Sequence, residues 1–182
     1  MHMNYTIEPM NNHNAQAGIF FPAKDKKDIV HFEEDDDDGG WLVSEPLHSV
    51  SADFQKITQG SNIILTIIDP YFLGKQGNLL NYLSKFMDII GLLTKYTAIH
   101  IVCAAQHEDT RKAFDTMLGA LLSVQIVADV QDRFWLTNKG LGLVCGTSFL
   151  GLEDIPPMIY LIKGDKYNKL YRVLKRKYQI KI

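Results

Sequence analysis

Three observations predict an α/β fold, a layered mixed sheet flanked by helices. Ile63–Ile68 and Thr97–Ala104 are apolar, β-branched runs of the kind found in strands covered on both faces. Around them lie stretches whose apolar residues recur three and four apart, the spacing of helices with one buried side. Strands and helices alternate through most of the chain, the order from which parallel sheets are built.

The elements follow in chain order. Residues 1–15 are polar and rich in asparagine, and predict an irregular start. Gly18–Phe21 and Ile29–Phe32 read as short strands around a turn at Lys24–Asp28, a hairpin arm. Six acids follow in a row: Glu33, Glu34, Asp35, Asp36, Asp37 and Asp38. Their mutual repulsion makes a solvated loop the default reading, and contact with a basic partner the alternative. The run lacks the spaced oxygens and central glycine of a calcium loop. Trp41-Leu42-Val43 then returns the chain to an apolar surface, and Trp41 joins the acids as a candidate partner contact. The arm is therefore expected over 1–45 and the main domain over 46–182.

A helix is expected from Pro46 to Gly60, with Leu47, Val50, Phe54 and Ile57 on one face. The Ile63–Ile68 strand stops at Asp69-Pro70, because proline cannot continue the ladder, and Asp69 is left at its carboxyl end. Gln76–Tyr96 has helical spacing that Gly91 loosens. Asp109–Leu122 reads as the next helix, with acids at its start where the helix dipole favours them. Val124–Val127 is a third strand. Phe134–Leu136 and Leu141–Cys145 form a hairpin around Asn138-Lys139-Gly140, supplying one antiparallel pair. Met158–Ile162 is a further strand, and Asp165 is expected to cap a helix over Lys166–Tyr178.

With 182 residues, 46% of them hydrophobic, the chain is long enough to bury a sizeable core. No apolar run has the length of a membrane span, and the start lacks the features of a secretory signal. Cys103 and Cys145 lie in apolar strands and read as buried free thiols in a reducing cytoplasm, with a disulfide as the alternative. Neither a metal nor a cofactor is expected. The net charge of −2 hides an asymmetry. Residues 1–54 hold three lysines against eleven acids, a balance of −8, and residues 163–182 hold eight basic residues against Asp165, a balance of +7. Such polarity points to charge-driven contacts within the chain, with a protein or with a polyanion.

The richest stretch for chemistry runs from Gln131 to Ser148. Its pattern, Gln131-x-Arg133-x4-Asn138-x7-Gly146-Thr147-Ser148, resembles the His-x-Lys-x4-Asp hairpin motif of the phospholipase D superfamily with its following Gly-Ser or Gly-Thr. Gln, Arg and Asn stand where the family has His, Lys and Asp. The Asp69-Pro70-Tyr71-Phe72 segment is similar to one in stand-alone members, and the resemblance spans roughly 46–178. It implies a phospholipase D-like fold, often paired as a homodimer at the motif face. It also implies a phosphate-type pocket drawn from Gln131, Asp132, Arg133, Asn138, Thr147, Ser148 and Asp69. An amide cannot replace the nucleophilic histidine, since it offers no usable nitrogen lone pair. Arg133 can still hold phosphate through its fork. The implied role is thus binding without hydrolysis, in a subunit or adaptor of a larger assembly. A divergent nuclease or phosphodiesterase using Asp132, His100 or His107 is an alternative. A purely structural hairpin, with Arg133 paired to a neighbouring aspartate, is another.

The C-terminal segment offers a second candidate. Lys166, Lys169, Arg172, Lys175, Arg176 and Lys177 alternate with Tyr167, Tyr171 and Tyr178. Basic residues interleaved with aromatics suit a nucleic acid, whereas a membrane surface is not favoured. The alternative is a solvated helix whose lysines complement its carboxyl-terminal dipole.

Overall fold

The computed structural model describes residues 39–43, 54–146, 149 and 158–180. Seven strands form one mixed sheet: β1 (Gly39–Val43), β2 (Ile63–Ile68), β3 (Tyr96–Cys103), β4 (Leu122–Ile126), β5 (Phe134–Thr137), β6 (Leu141–Cys145) and β7 (Met158–Lys163). Three longer helices accompany them among the described residues: α1 (Leu79–Ile90), α2 (Glu108–Leu118) and α3 (Gly164–Tyr178). The spatial order is β1-β7-β6-β5-β2-β3-β4. The protein is an α/β protein with a mixed sheet and flanking helices, as its sequence predicts.

β2 divides the sheet into two regimes. Towards β3 and β4 the pairing is parallel, with α1 and α2 as the crossovers. Towards β5, β6, β7 and β1 every pairing is antiparallel. The single antiparallel pair expected from the hairpin is therefore only part of an antiparallel half. Three further pairings account for the difference, the first being β5 with β2. β7 pairs with β6, and β1 pairs with β7 from Gly39 opposite Ile162 to Val43 opposite Met158. The chain divides into two units, Met1–Asp35 and Asp36–Ile182, so Trp41 belongs to an edge strand of the second unit's sheet. The hairpin arm and the run Glu33–Asp38 lie outside the described residues. Of the helix expected over 46–60, one turn over 54–57 is described, and it buries Phe54 and Ile57.

Two glycines shorten the crossover helices. Gly91 (φ 69°) ends α1, its N–H donating to the Met87 carbonyl, so Lys95 closes a 3-10 turn and Tyr96 opens β3. Gly119 (φ 53°) ends α2 in the same way, which releases Leu122 to start β4 two residues early. Both need the left-handed region, where a side chain is strained. At the start of α1 the Asn78 side chain accepts from the Asn81 N–H at 3.1 Å. α3 begins at Gly164, and its N-cap Lys163 makes no side-chain bond, so Asp165 lies in the first turn and is not the cap.

Alternation along the strands separates two cores. On the side of α1 and α2, Leu65, Ile67, Ile99, Ile101, Trp135 and Leu143 pack with Phe72, Phe86 and Phe114. Phe72 is the hub, with ring centroids 5.4 Å from Phe114, 5.3 Å from Phe149 and 6.0 Å from Trp135. Each such pair adds about 0.5–1.5 kcal/mol beyond area burial. On the opposite side Ile68, Phe134, Leu136 and Ile162 are buried, and α3 contributes Tyr167, Leu170, Leu174 and Tyr178.

Candidate functional site

The antiparallel register decides which hairpin residues meet. Phe134 pairs with Ile68, so Gln131-Asp132-Arg133 enter at the carboxyl end of β2, where Asp69 lies. The Cys145 N–H donates to the Arg133 carbonyl at 2.9 Å and extends the ladder one step. Thr137 pairs with Leu65, which carries Asn138 to the other end of β2. There the Asn138 side chain accepts from Ile64 N–H at 3.0 Å and donates to the Asn62 carbonyl at 3.1 Å. Arg133 and Asn138 are thus separated by about 16 Å at ~3.3 Å per strand residue. Asn138 is a turn residue that ties the hairpin to the start of β2, and it does not join a pocket with Arg133. Consecutive motif positions on a strand necessarily spread along it, which spacing in sequence conceals.

Two of the expected ligand residues are structural braces. Asp69 is buried, and its oxygens accept from Tyr71 N–H at 2.9 Å and Phe149 N–H at 2.8 Å. It locks the turn after β2 to the loop after β6, and a carboxylate would repel a phosphate in any case. Asp132, also buried, accepts from the Tyr178 hydroxyl and from Lys177 Nζ at 3.0 Å. Burial, and then the bond to Asp132 and its charge, push the Tyr178 hydroxyl well above the ordinary tyrosine range. Tyr178 therefore stays a neutral donor, and Asp132 clamps the end of α3. Its partner is Lys177, not Arg133. Thr147 and Ser148 lie outside the described residues.

Gln131 and Arg133 remain at the mouth. Gln131 is exposed and Arg133 half-buried, with its Nε buried and lacking a hydrogen-bond partner among the described residues. Nearby thiols are not activated. Burial, the Asp69 charge and only partial relief from Arg133 hold Cys145 far above its ordinary range. Burial, with Asp69 adding to it, raises Cys103 to about 11. Neither forms an appreciable thiolate near neutral pH. Both cysteines are free. His100 sits mid-sheet beside Thr66, with Nδ1 bonded to the Ser123 hydroxyl, and burial lowers its pKa. His107 precedes α2, 3.9 Å from Asp109. No described contact links either histidine to Gln131 or Arg133. Among the described residues, no three His, Cys, Asp or Glu side chains are grouped to hold a metal.

α3 sorts its residues by face. Tyr167, Leu170, Leu174 and Tyr178 point inward, so two of the interleaved tyrosines are anchors and not stacking platforms. Tyr167 donates to the Thr137 carbonyl at 2.6 Å, and Gln125 Nε2 on β4 donates to the Tyr178 carbonyl at 2.6 Å. Sequence reasoning missed both anchors. Their spacing of eleven, three helical turns, is the signal that one face was meant. Of the basic residues, Lys177 is engaged with Asp132 and Lys166 is half-buried near the Tyr160 hydroxyl at 3.4 Å. Lys169, Arg172, Lys175 and Arg176 are exposed. Lys169, Arg172 and Arg176 are three and four apart and share the solvent face. Lys175 lies 5.9 Å from the centre of the Tyr171 ring, which stacks on Tyr167 at 5.7 Å.

No family model matches the chain, and no curated protein does. Solved structures do match by fold. One is TrmBL2, an archaeal chromatin protein described as showing a novel mode of DNA binding, with a TM-score of 0.50 and 8% identity. The match covers 80% of this chain and 52% of that one, so this chain spans about half the length of TrmBL2. At that identity the shared property is the fold. No helix among the described residues is long and apolar enough to cross a membrane.

Proposed function

We propose that this chain is a non-catalytic, phospholipase D-like module that binds nucleic acid through the solvent face of α3. One observation carries the reading: the helix is anchored by Tyr167, Leu170, Leu174 and Tyr178 while Lys169, Arg172 and Arg176 align on its outer side, flanked by Lys175. At ~1.5 Å rise per residue these three cover about 10 Å, a reach suited to neighbouring backbone phosphates. The anchors hold the ridge in place, so binding does not require the helix to order first. TrmBL2, which shares the fold, is described as binding DNA, which fits a nucleic-acid partner.

The hairpin spacing, Asp69 at the end of β2 and the mixed sheet support the phospholipase D-like reading. Gln131 in the place of the attacking histidine, with Asp69, Asp132 and Asn138 committed to internal bonds, favours contact over hydrolysis. In a larger assembly the module would be the subunit that touches the polyanion.

Fluorescence anisotropy with labelled duplex and single-stranded oligonucleotides tests the reading. Affinity should fall steeply between roughly 50 and 200 mM salt, and K169E/R172E/R176E should abolish it. Binding that ignores the triple variant, or no binding at low salt, overturns the proposal.

A further inference from the structure

We infer that β4 is a self-pairing edge through which two copies of this chain join into one continuous sheet. The two edges of the sheet are guarded differently. In sequence, β1 begins with two glycines directly after six acids, the kind of charge that natural edges carry against strand addition. β4 has no such protection. From Thr116 to Ala128 the chain carries neither a charge nor a proline, and Ile126 is 47% exposed. An unguarded apolar edge of this kind is a ready template for another strand.

The backbone shows which groups are offered. Val127 N–H donates inward to the Cys103 carbonyl at 2.9 Å. Strand alternation then turns the N–H and C=O of Val124 and Ile126 outward, together with the Leu122 carbonyl. The Leu122 N–H is already held by Gly119.

The sequence of the strand selects a second copy as the occupant. Leu-Ser-Val-Gln-Ile reads apolar-polar-apolar-polar-apolar in both directions about Val124. A two-fold axis at Val124 sets Leu122 against the second copy's Ile126 and Ser123 against its Gln125. Val124 exchanges both bonds with its counterpart, and each Ile126 N–H meets the opposing Leu122 carbonyl. Leu122 and Val124 already pack on the main core, so the pairing extends that core and covers Ile126. Gln125 holds the last turn of α3 on the other face, which brings both α3 helices to one face of the joined sheet. This edge is three strands from β5, so the pairing is distinct from a dimer at the hairpin.

The test is the mass of the full-length chain in solution by light scattering across a dilution series from micromolar upward. The native chain should be a dimer. Val124→Pro should make it monomeric while keeping the fold, because the N–H lost points outward, the side chain is only partly buried and proline is tolerated on an edge. Ile126→Lys should weaken the dimer at least about tenfold, since a buried lysine replaces an apolar contact, and at an exposed site it spares the monomer. Circular dichroism checks the fold of each. A native chain that is monomeric throughout overturns the inference, and so does a dimer that survives both variants.

Discussion

The hairpin mouth and the helix α3 are both rich in polar side chains, yet they use them differently. At the mouth Asp69 and Asp132 are buried and turned inward, each taking hydrogen bonds from distant parts of the chain. On α3 the polar groups at 169, 172 and 176 are exposed, and the inward work falls to tyrosine and leucine. The mouth resembles a site and behaves as a joint. The helix resembles an ordinary solvated face and holds the surface a ligand can reach.

Substitutions should separate the two regions by what they change. The largest loss is expected from Asp69→Ala, which takes the acceptor from the buried Phe149 N–H and from the part-buried Tyr71 N–H, and chemical denaturation should show about 3 kcal/mol. Asp132→Ala should cost about 2 kcal/mol, because Tyr178 loses its acceptor and half-exposed Lys177 is only partly screened by water. Neither change should alter the affinity of folded protein for nucleic acid. If Asp132→Ala proved neutral in stability but lost binding, the mouth would be a site after all.

Tyr178→Phe should cost about 1 kcal/mol and also reshape the alkaline limb of stability. Because folding raises the pKa of this hydroxyl, its contribution is complete below the ordinary value of 10.0 and is lost as pH rises past it. The variant should therefore lose less stability than the native chain between neutral and strongly alkaline pH, as followed by denaturant midpoints. The smallest effect belongs to the outer face of α3. Replacing Lys169, Arg172 and Arg176 by serine should move stability by no more than about 0.5 kcal/mol each while weakening nucleic-acid binding. A large drop in stability there would erase the contrast.

Local signals were legible where one residue type forces one outcome. The β-branched run at Ile63–Ile68 and the Asn138-Lys139-Gly140 turn lie where the residues predict them. Gly91 reads in the sequence as a loosening of its helix and Gly119 carries no such reading there, yet each is a full stop, and both helices end sooner for it. Asp132 was not legible in its role, because its partner Tyr178 stands 46 residues away and a polar residue before a strand looks the same whether it faces ligand or lysine. Asn138 misled for a related reason, since motif spacing counts residues and a strand converts each into ~3.3 Å of separation.

By itself the sequence determined the fold class, the parallel half of the sheet and the hairpin, because hydrophobic period and turn chemistry act over a few residues. It also set which residues carry charge, and so the basic character of α3. Tertiary structure alone decided the antiparallel half, the closing of β1 on β7 and the sorting of polar groups into braces and exposed contacts. Those outcomes depend on hydrogen-bond partners and burial supplied from far along the chain, which local composition does not encode.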